Sequence, residues 1–141
     1  DPVLSRGLGD VYKRQLVEGA GGVLVPLNER YQTWADFLKA TKMPVLVSAR
    51  NELGILNHTL LTVEYLQSIG AEVLGVCLQN PINGAGMSSS QRTNFEVLQG
   101  FLSKLPVFSI PFLGENARKI GVIKQGQKKI KKTLAEILEL V

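Results

Sequence analysis

The chain has 141 residues, 45% of them hydrophobic and 20% charged, and a formal net charge of +4. That length supports one modest domain with a real core, and the apolar content is ordinary for a globular protein. A single cysteine excludes an internal disulfide. No run reaches the ~20 apolar residues that a membrane helix needs. The expected location is the cytoplasm, with no membrane partner.

Residues 1–15 begin with Asp1 and show neither a helical nor a strand period. The string from Gly7 to Gln15 is similar to translated adaptor sequence at the broken ends of environmental reads. Residues 1–15 are therefore expected to be a non-native leader, and 16–141 the domain. A genuine N-terminal extension is the alternative.

Next comes Leu16-Val17-Glu18-Gly19-Ala20-Gly21-Gly22-Val23-Leu24-Val25-Pro26-Leu27. It reads as a short strand over 16–18, an acid, a glycine-rich turn and apolar chain again. A carboxylate at a strand end offers hard oxygen to Mg²⁺. The glycines let backbone N–H groups approach an anion closely. The plainer reading is a tight turn with a solvated Glu18.

A helix is expected over 33–41, with Thr33 as its cap and Asp36 three residues on, as in a capping box. A strand over 44–49 leads through Arg50, which is expected in a surface salt bridge, to a loop and a helix over 57–69. Gly70 closes that helix. His58, the only histidine, is expected to pack or cap near the helix start. The strand over 73–79 holds Cys77, expected to be a buried structural thiol. Ser88, Ser89 or Ser90 caps a helix over 88–103, and a strand over 106–110 precedes a helix over 117–139.

In that last helix Ile123, Ile130, Leu134, Ile137, Leu138 and Val141 recur at helical spacing. Lys124, Lys128, Lys129, Lys131 and Lys132 then fall mostly on the wet face. No aromatic residue accompanies them, so no nucleic-acid partner is expected. The strands are short, rich in Val, Leu and Ile, and lack polar alternation, as strands buried on both faces do. Alternation with helices predicts an α/β fold, a parallel sheet with flanking helices. Ligands of such sheets gather outside the carboxyl ends of the strands. Glu18, Asn80 with Pro81, and Pro111 with Phe112 all fall there, and Gly54 to Asn57 open a helix after a strand.

The pair VEGAGG…VPL and LGILNHTLLT, in this order and spacing, closely resembles dethiobiotin synthetase. The likeness continues through Leu74 to Asn80 and Ser109 to Asn116, and it covers nearly everything from Leu16 onward. The resemblance implies a P-loop NTPase-like fold. It also implies an enzyme that makes the ureido ring of dethiobiotin from 7,8-diaminononanoate, CO₂ (or bicarbonate) and ATP, with Mg²⁺, as a homodimer. The family opens with a G-x-x-x-x-G-K-[ST] type loop, which is missing here: Gly7 and Gly9 are followed by Asp10-Val11-Tyr12. The chain thus resembles the C-terminal half, with the P-loop half and its catalytic lysine missing and no catalytic residue retained.

By that resemblance Glu18 is the Mg²⁺-associated carboxylate. Gly19, Ala20 and Gly21 form the turn beside the nucleotide phosphates. Asn80 recognises adenine, since an amide both donates and accepts; Pro81 follows it where some relatives carry Asp. Ile110, Pro111 and Phe112 enclose the adenine ring, and Glu115 touches the ribose. Gly54, Ile55, Leu56 and Asn57 bind the substrate carboxylate from the neighbouring subunit, through the unpaired N–H groups of a helix start. Two alternatives stand beside this. One is another P-loop relative, such as a cobyrinic acid a,c-diamide synthase or a partitioning-type ATPase. The other is a non-enzymatic binding module.

Overall fold

The computed structural model describes residues 15–115 and 119–140. Helix α1 (Trp34–Thr41) precedes strand β1 (Val45–Arg50) and helix α2 (Ile55–Ser68). Strand β2 (Val73–Gln79), a 3₁₀ turn (Gly84–Gly86) and helix α3 (Ser89–Phe101) follow. Strand β3 (Val107–Ile110) and helix α4 (Ile120–Leu138) complete the order. The strands form one parallel sheet in the order β1-β2-β3. Parallel neighbours need a crossover, and α2 and α3 supply it.

Period-2 alternation sends Val47 and Ala49 of β1, Val76 and Leu78 of β2, and Val107 of β3 to one face. There they meet Ile55, Leu60 and Val63 of α2 and Phe95 and Leu98 of α3. Val76, Leu78, Leu66 and Leu98 have no exposed surface. Burying each such side chain stabilises the fold by roughly 1.5–3 kcal/mol. Strand β2 is buried on both faces, Cys77 included, and burial pushes the Cys77 thiol pKa up. Gly75 lets β3 come close: a Cβ there would stand 2.7 Å from the Pro106 carbonyl, which accepts from the Val76 N–H at 2.9 Å.

The helix boundaries follow their local signals. Thr33 and Asp36 form a capping box on α1, and Ser88 and Gln91 form one on α3. Gly70 ends α2 in the left-handed region at φ 75°. Helix α2 starts two residues earlier than expected, at Ile55, because Gly54 turns the chain at φ 87°. The five lysines of α4 are exposed as expected. Its apolar face is only partly covered: Ile123 and Leu138 remain 43% and 58% exposed. Buried Gly126 faces Leu113.

One expected element is absent. Residues 16–18 form no strand, and Leu16 is 94% exposed. A strand exists only through ladder partners, and no described strand pairs with this segment.

Candidate functional site

The carboxyl ends of the three strands carry a connected set of polar groups. The Asn80 N–H, just past β2, donates to the Ile110 carbonyl at the end of β3 at 2.9 Å. Its Nδ2 lies 3.4 Å from Ser109 Oγ. Asn80, Ile110 and Phe112 are half-buried, and Pro111 is exposed. The structure thus brings Asn80 beside Ser109 and Ile110, the residues that lead into Pro111 and Phe112, and half-buried Pro81 follows Asn80 directly. Glu115 lies exposed in a turn after Gly114, which sits at φ 113°.

Behind Asn80 lies a group that sequence reading missed. Asn51, just past β1, is 1% exposed and Asn94 of α3 is 5% exposed. Asn51 Nδ2 donates to Asn80 Oδ1 at 2.7 Å and to the Gln91 carbonyl at 2.8 Å. Asn51 Oδ1 accepts from Asn94 Nδ2 at 2.8 Å. Gln91 Nε2 donates back to the Asn51 carbonyl at 2.8 Å. The capping glutamine of α3 therefore also fastens that helix to the end of β1. A buried amide is retained without penalty only when its hydrogen bonds are made, and here they are.

The glycine turn is built differently. Residues 15–22 are exposed, Glu18 among them. The turn hangs on the start of α1: Trp34 Nε1 donates to the Ala20 carbonyl at 3.3 Å, and the Ala35 N–H to the Val23 carbonyl at 3.0 Å. The Trp34 ring meets Phe37 edge-on, centroids 5.7 Å apart. Gly21 sits at φ 79°, and a Cβ there would stand 2.9 Å from Val25; only glycine fits. A Cβ on Gly19 would stand 3.2 Å from the Trp34 ring.

At the start of α2, Gly54 caps without a side-chain hydrogen bond, and the first turn holds no acid. The Leu56 and Asn57 N–H groups precede the first intrahelical bond, which His58 N–H makes to the Gly54 carbonyl at 3.2 Å. Ile55 and Leu56 are half-buried and Asn57 is exposed. The His58 ring lies beside Gly54, and the residue is exposed. Arg50 pairs with Glu52 at 2.6 Å, both exposed, which is the expected surface salt bridge. At the opposite end of the sheet a cavity of ≈ 210 Å³ is lined by Lys39, Lys42, Ile69 and Glu72. It lies where the strands begin, away from these groups.

Residues 4–116 match a family model described as an AAA domain. The chain is 40% identical over 95 residues to the ATP-dependent dethiobiotin synthetase of Bacillus velezensis, covering 67% of this chain and 39% of the relative. It is 42% identical over 93 residues to that of Aquifex aeolicus, covering 65% and 40%. It is 36% identical over 112 residues to that of Bacillus subtilis strain 168, covering 78% and 44%. The chain belongs to the dethiobiotin synthetase family. It spans about two fifths of the length of these curated relatives.

The dethiobiotin synthetase match accords with the α/β architecture, a parallel sheet flanked by helices. The AAA domain match begins at residue 4, inside the stretch expected to be leader; residues 1–14 of that stretch lie outside the described residues. No described helix is long and apolar enough to cross a membrane. Among the described residues no cluster of three or more His, Cys, Asp or Glu side chains exists. That donor set does not suit an all-protein metal cage. It does fit Mg²⁺ held as nucleotide enzymes hold it, by one or two carboxylates with phosphate and water oxygens. Glu18 is exposed and engaged in no ion pair among the described residues.

Proposed function

We propose that this chain is the C-terminal part of a dethiobiotin synthase of biotin biosynthesis, residues 16–141 forming part of its single domain. The enzyme closes the ureido ring of 7,8-diaminononanoate with CO₂ and ATP, as a cytoplasmic homodimer. The observation that carries the reading is the Asn80–Ile110 pairing at the strand ends in a chain of this family. It puts an amide and an apolar turn side by side, which suits a purine edge and face.

In this reading one substrate amine adds to CO₂ to give a carbamate. The γ-phosphoryl group of ATP passes to the carbamate oxygen as its bond to the β–γ bridging oxygen breaks and ADP leaves. The second amine then attacks the carbamate carbon, and inorganic phosphate leaves. Phosphoryl transfer of this kind depends mainly on positioning and charge stabilisation. Mg²⁺, when bound, neutralises charge developing on the phosphates. Glu18 holds that ion, and Gly19, Ala20 and Gly21 turn backbone toward the phosphates. Asn80 and Pro81 take the base edge, Ile110, Pro111 and Phe112 its face, and Glu115 the ribose. The uncapped start of α2, Gly54 to Asn57, receives the substrate carboxylate across the subunit interface.

The sequence holds no G-x-x-x-x-G-K-[ST] loop, so the chain by itself should form no dethiobiotin. Joining it to the upstream half of the Bacillus subtilis synthetase tests the reading. The joined protein should form dethiobiotin only with both ATP and Mg²⁺, and Glu18→Gln should slow it about a hundredfold or more through lost metal positioning. Turnover by the isolated chain would overturn the reading that it needs an upstream half, and a folded joined protein without turnover would favour a non-enzymatic binding module instead.

A further inference from the structure

Asn51 uses every polar atom that it has. Its N–H donates to the Gln79 carbonyl at 2.8 Å, its carbonyl accepts from Gln91 Nε2, and its side-chain amide is partnered at both ends. These partners fix directions as well as positions. A backbone carbonyl only accepts, so the Asn51 atom facing the Gln91 carbonyl is the amide nitrogen. The second hydrogen of that nitrogen meets Asn80 2.7 Å away, so the Asn80 atom there is Oδ1. The Nδ2 of Asn80 must then turn away from the interior, toward Ser109 and the strand-end opening.

We propose that Asn51 is a positioning residue for base recognition: it holds the Asn80 carboxamide in one orientation, so that Asn80 presents a hydrogen-bond donor to a ring acceptor of the nucleotide base. This rests on the reading of Asn80 as the base-contacting residue. The terminal torsion of an asparagine is broad and roughly two-fold, so an unrestrained Asn80 would offer oxygen or nitrogen with similar ease. Restraint by a buried partner makes the donor permanent, and a pre-organised group binds without having to be ordered first. Asn51 reaches no ligand itself, being 1% exposed.

The test uses the 141-residue chain and nuclear magnetic resonance of its side-chain amides. In the wild-type chain the Asn51 Nδ2 hydrogens should exchange about a hundredfold more slowly than those of exposed Asn57. Adenosine is then titrated against wild type, Asn80→Ala and Asn51→Asp. An aspartate at position 51 only accepts, so Asn80 must turn its Nδ2 inward and present Oδ1 instead. Asn80→Ala should weaken adenosine about tenfold, the size of one good hydrogen bond. Among deaza analogues of adenosine, each with one ring nitrogen replaced by carbon, one should bind wild type about tenfold more weakly than adenosine. That penalty should vanish in Asn51→Asp, an outcome that general loosening of the strand ends would not give.

No effect of Asn80→Ala, or no adenosine binding at all, would overturn the reading of Asn80. A weakened Asn80→Ala with the full analogue penalty kept in Asn51→Asp would overturn the positioning role alone. If Asn51→Asp does not fold, the wild-type chain decides: Asn51 hydrogens exchanging as fast as those of Asn57, or no analogue penalty, overturns the proposal.

Discussion

Asn51 just past β1 and Glu18 in the glycine turn both enter the proposed nucleotide site, yet they are held in opposite ways. Asn51 is buried, and its partners come from β2, α3 and the residue after β2. Glu18 is exposed, and its turn touches the rest of the fold through the start of α1. The side proposed to take the base is therefore held by the fold itself. The side proposed to take the metal fixes a backbone turn and leaves the Glu18 carboxylate exposed. The contrast is between a region whose geometry is a matter of stability and one left open to solvent.

The largest effect that tests this contrast is on stability. Asn51→Ala removes the shared partner of Asn94, Asn80 and the Gln91 carbonyl. Each buried polar group left unpaired costs about 1–3 kcal/mol, so the whole change should destabilise by roughly 2–4 kcal/mol. Glu18→Ala should stay within about 0.5 kcal/mol, as exposed substitutions do. Urea midpoints of the two variants against wild type measure both. Equal losses would mean that the turn is packed as firmly as the strand ends.

Next in size is a charge placed at the start of α2. Leu56→Asp sets a carboxylate at N–H groups that the structure leaves without a side-chain cap. In the enzyme joined to an upstream half, it should raise the KM for diaminononanoate about ten- to a hundredfold and leave ATP affinity nearly intact. Mixing Leu56→Asp with Glu18→Gln subunits should restore one sound site per heterodimer if the corner acts in trans. Equal loss of ATP and substrate binding, or verified heterodimers without rescue, would make the corner ordinary core.

How much of this was legible depends on the range of the interactions. Thr33 with Asp36, a serine among 88–90, and Gly70 act within a few residues, and the structure puts the caps there, Ser88 being the serine used. The β2 run is apolar on both faces and its burial was plain. The Asn51 group was not legible, because its bonds join residues 29, 40 and 43 positions apart. Asn51 followed by Glu52 reads as a wet loop, and Asn94 as one polar residue in an amphipathic helix. The expected strand at 16–18 failed for the same reason in reverse. Its residue types suit a buried strand, but pairing is a property of neighbours.

A buried polar group without partners sharpens the contrast further. Thr59 of α2 is 2% exposed, and its Oγ1 has no hydrogen-bond partner among the described residues. Valine has the same shape and no hydroxyl to leave unpaired. Thr59→Val should therefore raise stability by up to about 1 kcal/mol, the reverse of Asn51→Ala. A loss from Thr59→Val in the urea midpoint would show that the hydroxyl is engaged in solution.

The smallest effect is a pH dependence on the α1 side, where the glycine turn is anchored. The Thr33 N–H and hydroxyl both donate to Asp36 Oδ2, at 2.8 Å and 2.9 Å. Those bonds, the backbone one foremost, hold the Asp36 carboxyl below the usual carboxylate range. A folded-state pKa below the unfolded one means that the unfolded chain binds the proton first. The contribution is therefore fully present above the unfolded value near 4 and is lost as pH falls through the folded value. Asp36→Asn keeps the shape and removes the charge, so the difference between it and wild type isolates this group. That difference should favour wild type at pH 6 and close steadily below about pH 4, as followed by urea midpoints at stepped pH. Because Asp36 is fully exposed, it should be the least of the effects described. A difference that does not change with pH would mean that Thr33 caps α1 without the carboxylate.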